Sequence, residues 1–367
     1  MPTTDLDPGA AALGRKCVKC ESPGILSGID AKKAVYCRPC FVQMVKHKFR
    51  SALGKRRVYK DGASKETLLV FDGSPAAALA LGQLVESKRE TDHRKLMIEP
   101  TVLLTLETTD PERAGRILQR YAEIGAKLAE PGIGIPFRIA HIAAGLQKNI
   151  ELRVDSGEQY IGKEQIAIYE RLLSAMQSTT ARSEMTRLFG ELLAARFAAA
   201  TGIDKIWLPR TGDDLSKDVV SFFSLGKGAH TSSLISVSER RLGVNFLRPM
   251  HDIGDKEVAL LNRLEGYDER YETPDCREPL PPASIHLVAA NFIDMLQREG
   301  YTATTSTLLA STAKIVDGSA KAQEYCRICG SPATQKEKNS AALLCYPCRR
   351  LREECSEKTL FDQALCS

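Results

Sequence analysis

Eight of the eleven cysteines fall into two repeated frames. Cys17 and Cys20 are two residues apart and are followed after 16 residues by Cys37 and Cys40; Cys326 and Cys329 are followed after 15 by Cys345 and Cys348. A two-residue gap lets one tight turn offer two thiolates to one ion. A separation of about 15–20 residues is a short hairpin's worth of chain, enough to return a second turn to the same ion. Zinc takes four such ligands in a tetrahedron, so the expectation is one structural zinc site near each end. An iron–sulfur centre also uses four thiolates, and zinc versus iron–sulfur stays open at each frame. A redox pair would open a helix after a strand and would need no second pair. Cys276, Cys355 and Cys366 stand outside the frames and receive no role.

The charge is as unevenly placed as the thiols. Residues 1–65 carry 14 Lys and Arg against 5 Asp and Glu, a balance of +9, whereas the remaining residues balance at −4. Lys46, Lys48, Arg50, Lys55, Arg56, Arg57, Lys60 and Lys65 follow one another with only Asp61 opposing them. Phosphate backbones attract such a run, because each neutralised phosphate releases condensed counterions. The other reading is a solvated helix face followed by a basic loop. Lys46, Lys48, Arg50, Lys55, Arg56 and Arg57 are the nucleic-acid candidates.

Positioning these groups needs a scaffold, and residues 66–320 alternate strand and helix patterns. Thr67–Asp72, Thr101–Leu106, Pro136–Ala143, Ile203–Leu208 and Asn245–Pro249 read as strands. Ala76 to about Glu90, Asp110 to about Leu128, two helices within 163–200, one from Asp213/Asp214, Lys256–Leu264 and His286–Arg298 read as helices. Thr273–Pro282 is Pro-rich and predicts a loop. Strands separated by helices imply an α/β, doubly wound and mostly parallel sheet, with a crevice at the strands' carboxyl ends. The chain then divides into residues 1–45 (first Cys module), 46–65 (basic connection), 66–320 (α/β domain) and 321–367 (second Cys module and tail).

The first strand–turn–helix is where this fold would hold a nucleotide. Phosphate binding there needs converging N–H groups and glycines. Asp72-Gly73-Ser74-Pro75-Ala76-Ala77 instead has one helpful glycine, a carboxylate, and a proline without an N–H. Ser74 as N-cap and Pro75 in the first turn explain the sequence structurally. Bound ATP is not expected. No nucleophile–base pair is legible among the six scattered histidines, and Asp213 and Asp214 fit a helix start better than a metal site. No catalytic residue is assigned.

At 367 residues, with 43% hydrophobic and 26% charged residues, the composition is that of a folded soluble chain rather than a disordered one. No apolar run approaches the ~18 residues of a membrane span. The acidic, apolar-poor start predicts no secretory leader, and the cysteine usage fits the cytosol or nucleus.

The segment Cys37-Arg-Pro-Cys40-Phe41, then His47-Lys48-Phe49-Arg50 and Leu53-Gly54-Lys55, resembles the region after the first Cys module of the cytoplasmic tRNA 2-thiolation protein 2 family. That family belongs to the ATP-pyrophosphatase-type tRNA sulfurtransferases, whose active members carry S-G-G-x-D-S after the first strand. Asp72–Ala77 aligns there without the defining residues. Gly212-Asp213-Asp214 resembles the group's second motif, G-x-x-x-D-D, with the spacing shortened, and Arg248-Pro249-Met250 with Lys256-Glu257 resembles its R-P-L…K/E-E element. The resemblance implies an adenine nucleotide alpha-hydrolase-like core and a non-catalytic subunit paired with tRNA 2-thiolation protein 1. The pair would thiolate the wobble uridine of tRNAs for Lys, Glu and Gln, with sulfur delivered by a ubiquitin-related modifier thiocarboxylate. An active ATP-dependent sulfurtransferase and a zinc-dependent adaptor without RNA are the alternatives.

Overall fold

The structure, a computed structural model, describes residues 14–27, 34–60, 62–90, 96–147, 159–160, 162–274, 276–277, 279–315, 324–333 and 343–366. Near the amino end, β1 (Leu26–Ser27) pairs antiparallel with β2 (Val35–Tyr36). Pro39 in the first turn fixes the start of α1 (Arg38–Lys55), which buries Phe41, Val45, Phe49, Ala52 and Leu53.

The central sheet begins with β3 (Glu66–Phe71). Its residues alternate between two buried faces: Leu68 and Val70 join one core, Leu69 and Phe71 the other. Ser74 caps α2 (Pro75–Arg89), its Oγ accepting from Ala77 N at 3.2 Å, so both capping expectations hold. Next come β4 (Glu99–Leu106) and α3 (Pro111–Leu128). The latter is capped by Asp110 and buries Ile117, Tyr121, Ile124 and Leu128 at helical spacing. Then follow β5 (Phe137–His141), a 3-10 turn over Ile142–Leu146, β6 (Gln159–Tyr160), α4 (Lys163–Ala175) and α5 (Thr179–Thr201). The strand read as far as Ala143 stops early because the His141 ring accepts from Ala143 N at 3.1 Å and caps that turn.

The chain returns to the other side of β3 with β7 (Lys205–Trp207), then α6 (Gly212–Ser224), α7 (Gly228–Leu234), β8 (Ser238–Arg241) and β9 (Val244–Leu247). It continues through α8 (Asp255–Glu265), α9 (Tyr267–Tyr271), α10 (Ile285–Arg298), α11 (Thr304–Thr312), α12 (Tyr346–Glu353) and α13 (Lys358–Leu365). The sheet order is β6-β5-β4-β3-β7-β9-β8, parallel except for the β8–β9 hairpin. This is the doubly wound sheet expected from the alternation. The order reverses beside β3, which puts the crevice at the carboxyl ends of β3 and β7.

One core lies beneath α1, α2, α3, α8 and α9 and includes Leu26 beside the first Cys frame. The other lies beneath α4 and α5 and includes Cys326, Ile328, Cys345, Cys348 and Phe361. The two Cys frames therefore pack against opposite faces of the sheet. No helix among the described residues is long and apolar enough to cross a membrane.

Candidate functional site

In the first frame, Cys17 and Cys20 sit on a tight turn closed by the Lys16–Pro23 bridge, while Cys37 caps α1 and Cys40 lies in its first turn. Cys20 Sγ is 3.5 Å from Cys37 Sγ and 3.6 Å from Cys40 Sγ, and all four sulfurs lie within 4.8 Å of one another. A tetrahedron with metal–sulfur bonds of about 2.3 Å has edges of about 3.8 Å. The spacing thus fits one ion. The crowded thiols oppose one another's ionisation: Cys37 and Cys20, helped by burial, push Cys40 up to about 12. A dication would relieve that conflict by holding all four as thiolates.

The second frame repeats the geometry, with Cys329 and Cys345 sulfurs 3.5 Å apart and all four within 4.8 Å. Here Cys326, Cys345 and Cys348 are buried, whereas only Cys17 is buried in the first frame. The module is clamped to the sheet. Arg241 Nη1 donates to the Cys329 carbonyl at 2.8 Å, and Nη2 to Glu191 at 2.7 Å. Gly330 has φ +68 and leaves room for Leu242 N, which an added Cβ would meet at 2.8 Å. Past the module, Met176 bridges Cys355, whose complete burial makes it core rather than chemistry.

At the crevice, the chain fills its own site. Arg277 from the Pro-rich loop donates through Nε to Asp72 Oδ2 at 2.7 Å and through Nη2 to Asp72 and to Ser74 Oγ, the latter at 3.1 Å. Ser74 Oγ also donates to Asp72 Oδ1 at 2.6 Å. Thr273 N donates to Gly73 O at 2.9 Å. Gly73, at φ +73, is so tightly covered that a Cβ would lie 2.8 Å from both Cys276 Sγ and Thr273 Cβ. Cys276 is buried, and burial with the Asp72 charge pushes its thiol up to about 12. A low-pKa nucleophile is the opposite of this environment.

The acidic motif after β7 also serves the scaffold. Thr211, not Asp213 or Asp214, is the N-cap of α6; its Oγ accepts from Asp214 N at 3.1 Å, and Asp214 accepts back from Thr211 N at 3.2 Å. Asp213 accepts from Gln297 at 2.6 Å, Thr305 at 2.8 Å and Asp255 N at 2.8 Å, tying α6 to α8, α10 and α11. Burial and the Asp214 charge raise Asp255 to about 6. Among the described residues, only the two Cys frames bring together groups spaced to hold a metal.

The basic candidates divide into two sets. Lys46 pairs with Glu86 at 2.8 Å and Glu265 at 2.7 Å, Lys48 with Glu257 at 2.8 Å, and Arg50 with Glu90 at 3.1 Å. These three hold α1 against α2 and α8. Lys55, Arg56 and Arg57 are exposed at the end of α1 and just beyond it. Sequence reasoning did not find the Arg277 plug or the Arg241 clamp. The signal for the former was present: Asp72 beside a would-be anion site demands a cation, and Arg277 is the basic residue of the Pro-rich loop.

Comparison with known proteins places this geometry. The family model described as Cytoplasmic tRNA 2-thiolation protein 2 matches residues 284–360. The Caenorhabditis briggsae protein of that name is 31% identical over 345 residues, covering 94% of this chain and 95% of its own; the C. elegans protein is 31% identical over 93% and 94%. The zebrafish protein (Danio rerio) is 25% identical, covering 91% of this chain and 72% of its own. Among solved structures, the U34-tRNA thiolase NcsA from Methanococcus maripaludis, with its [4Fe-4S] cluster, shares the fold at a TM-score of 0.59 and 17% identity, over 88% of this chain and 94% of that one. With a 31% identical relative aligned over 94% of this chain and the sheet and Cys frames in place, the chain belongs to the cytoplasmic tRNA 2-thiolation protein 2 family.

Proposed function

We propose that this chain is the non-catalytic, tRNA-holding subunit of a cytoplasmic tRNA 2-thiolation complex. The observation that carries the reading is the filled crevice: Arg277, Cys276 and Thr273 occupy the space over Gly73 that a nucleotide's phosphates would need. Ground normally supplied with convergent N–H donors is here an internal carboxylate–guanidinium pair. Between Phe41 and Tyr325 the sequence has only Cys276, so its central region cannot ligate a cluster of the kind NcsA holds, which takes several thiolates. The relatives' shared name supplies the reaction.

In this reading the adenylating and sulfur-transferring groups belong to a partner, tRNA 2-thiolation protein 1. Sulfur arrives on a ubiquitin-related modifier thiocarboxylate, and the target is the wobble uridine of tRNAs for Lys, Glu and Gln. Zinc fits both Cys frames, because their sulfur spacing suits a single tetrahedral ion and a four-iron cluster holds its thiolates farther apart. Cys17, Cys20, Cys37 and Cys40 would hold one ion; Cys326, Cys329, Cys345 and Cys348 the other. Each would act as a staple between knuckles and helix starts.

Reconstitution tests the proposal. The expected result is tRNA binding by this chain alone, thiouridine only when the partner is added, and no Mg-ATP turnover without it. Thiouridine formed by this chain with ATP and a sulfur donor alone would overturn it.

A further inference from the structure

At the opposite end of β3 from the filled crevice, the surface opens into a cleft of about 340 Å³. Arg50 and Leu53 line it from the last turns of α1, Arg57, Tyr59 and Lys60 from the connection to β3, and Met97 from the approach to β4. We propose that this cleft takes one unpaired nucleotide of an RNA strand, its phosphate among the three cations and its base on the apolar floor. The inference rests on the tRNA-holding role and names where on the chain a single-stranded segment docks.

Charge is the first argument. Arg57 and Lys60 form no ion pair with any described residue, and Lys55, Arg56 and Lys65 stand exposed nearby. Among the described residues, Glu90 is the carboxylate paired with a cation of the cleft; it takes the Arg50 Nη2 edge at 3.1 and 3.3 Å and so orients that guanidinium. The cleft therefore stays cationic and suits an anion.

The floor is the second argument. Met97 is 60% exposed and lies beside Leu53, Leu96 and Ile98. A phosphate alone has no use for apolar surface, whereas an unstacked base does. The volume is at the small end of the roughly 300–1,000 Å³ usual for ligand pockets and admits no duplex, whose bases are already stacked. Tyr59 forms the rigid back wall: its hydroxyl meets Thr67 at 2.9 Å and accepts from Trp207 Nε1 at 2.8 Å.

Backbone strain is the third. Arg57 has φ +51, in the left-handed region where a helix usually ends on Gly. Its N–H reaches back to Gly54 O at 3.0 Å to close the helix. Strain of this kind gathers where a surface has a ligand to hold, and here it falls on a residue that lines the cleft.

The test uses the full-length chain with a fluorescent 12-nucleotide single-stranded RNA, a hairpin of equal charge and whole tRNA, each across a salt series. The single strand is expected to bind at least about fivefold tighter than the hairpin, as one stacked base contributes. Met97→Ser should weaken the single strand about fivefold with an unchanged salt slope. Arg57→Gly should lower the slope by about 0.7 while leaving thermal stability equal or higher, since it relieves the strain. Equal affinity for hairpin and strand, wild-type binding by both variants, or equal competition by a poly-glutamate peptide would overturn the cleft while leaving tRNA binding intact. Failure of the wild-type chain to bind tRNA would overturn the cleft and the tRNA-holding role together.

Discussion

Gly73 shows how one residue reports the fate of a site. Its left-handed backbone and the atoms of Cys276 and Thr273 at 2.8 Å exclude any side chain. Gly73→Ala should cost about 2–4 kcal/mol, combining left-handed strain with overpacking, and the measurement is urea unfolding. In a working phosphate loop the same change would appear first in nucleotide affinity; here it should appear in stability, and an unchanged unfolding midpoint would contradict the plug. The residue most in need of a partner, Asp72, was legible in the sequence as out of place, but its partner was not. Arg277 is 205 residues away, and a Pro-rich loop has no periodicity from which to read its path.

At the scale of elements, α5 and β8 are joined by buried charge. Burial alone would raise Glu191, but Arg241 and Arg187 outweigh it and bring the carboxyl down to about 2. A depressed carboxylate stabilises the fold above its ordinary value near 4.5, and that contribution is lost as pH falls from there toward 2. Glu191→Gln should destabilise the chain by about 3 kcal/mol at pH 7, since it leaves the buried Arg241 with Glu239 as its one carboxylate, and Arg248 already shares that group. The gap to wild type should narrow as pH falls from about 4.5 toward 2, followed by thermal melts across pH; a constant gap would remove the linkage. Strands with alternating aliphatics, such as β3, and capped helices, such as α2 and α3, could be read from sequence because pattern and turn chemistry agree in them. β8 could not: three of the four residues of Ser238-Glu-Arg-Arg241 are charged, and it is a strand only because Glu239 and Glu191 together neutralise Arg241 and Arg248 inside the fold.

For the whole molecule, the two Cys frames lie on opposite faces of one sheet and should fail independently. Purified without chelator, the protein should hold two zinc ions per chain by elemental analysis; one or none would contradict the paired sites. Cys326→Ser should speed hydrogen exchange in α5 and α13, which share a core with that module. Cys17→Ser should affect α1 and the β1–β2 hairpin, with β3 and β4 still protected, because binding energy at such sites is folding energy for the parts they join. Exchange that rises everywhere in both variants would mean that the modules hold the sheet itself. The frames were readable from spacing alone. Their assignment to opposite faces was not, because it depends on which helices each knuckle meets after the chain has crossed the sheet.

The Asp72–Arg277 pair has a consequence for the life of the protein in the cell. A pocket that waits for a nucleotide leaves its owner less stable whenever the supply falls. This chain carries the counter-charge on its own Arg277 side chain, so on the proposed reading it should mature and persist equally well in a starved cell and a fed one.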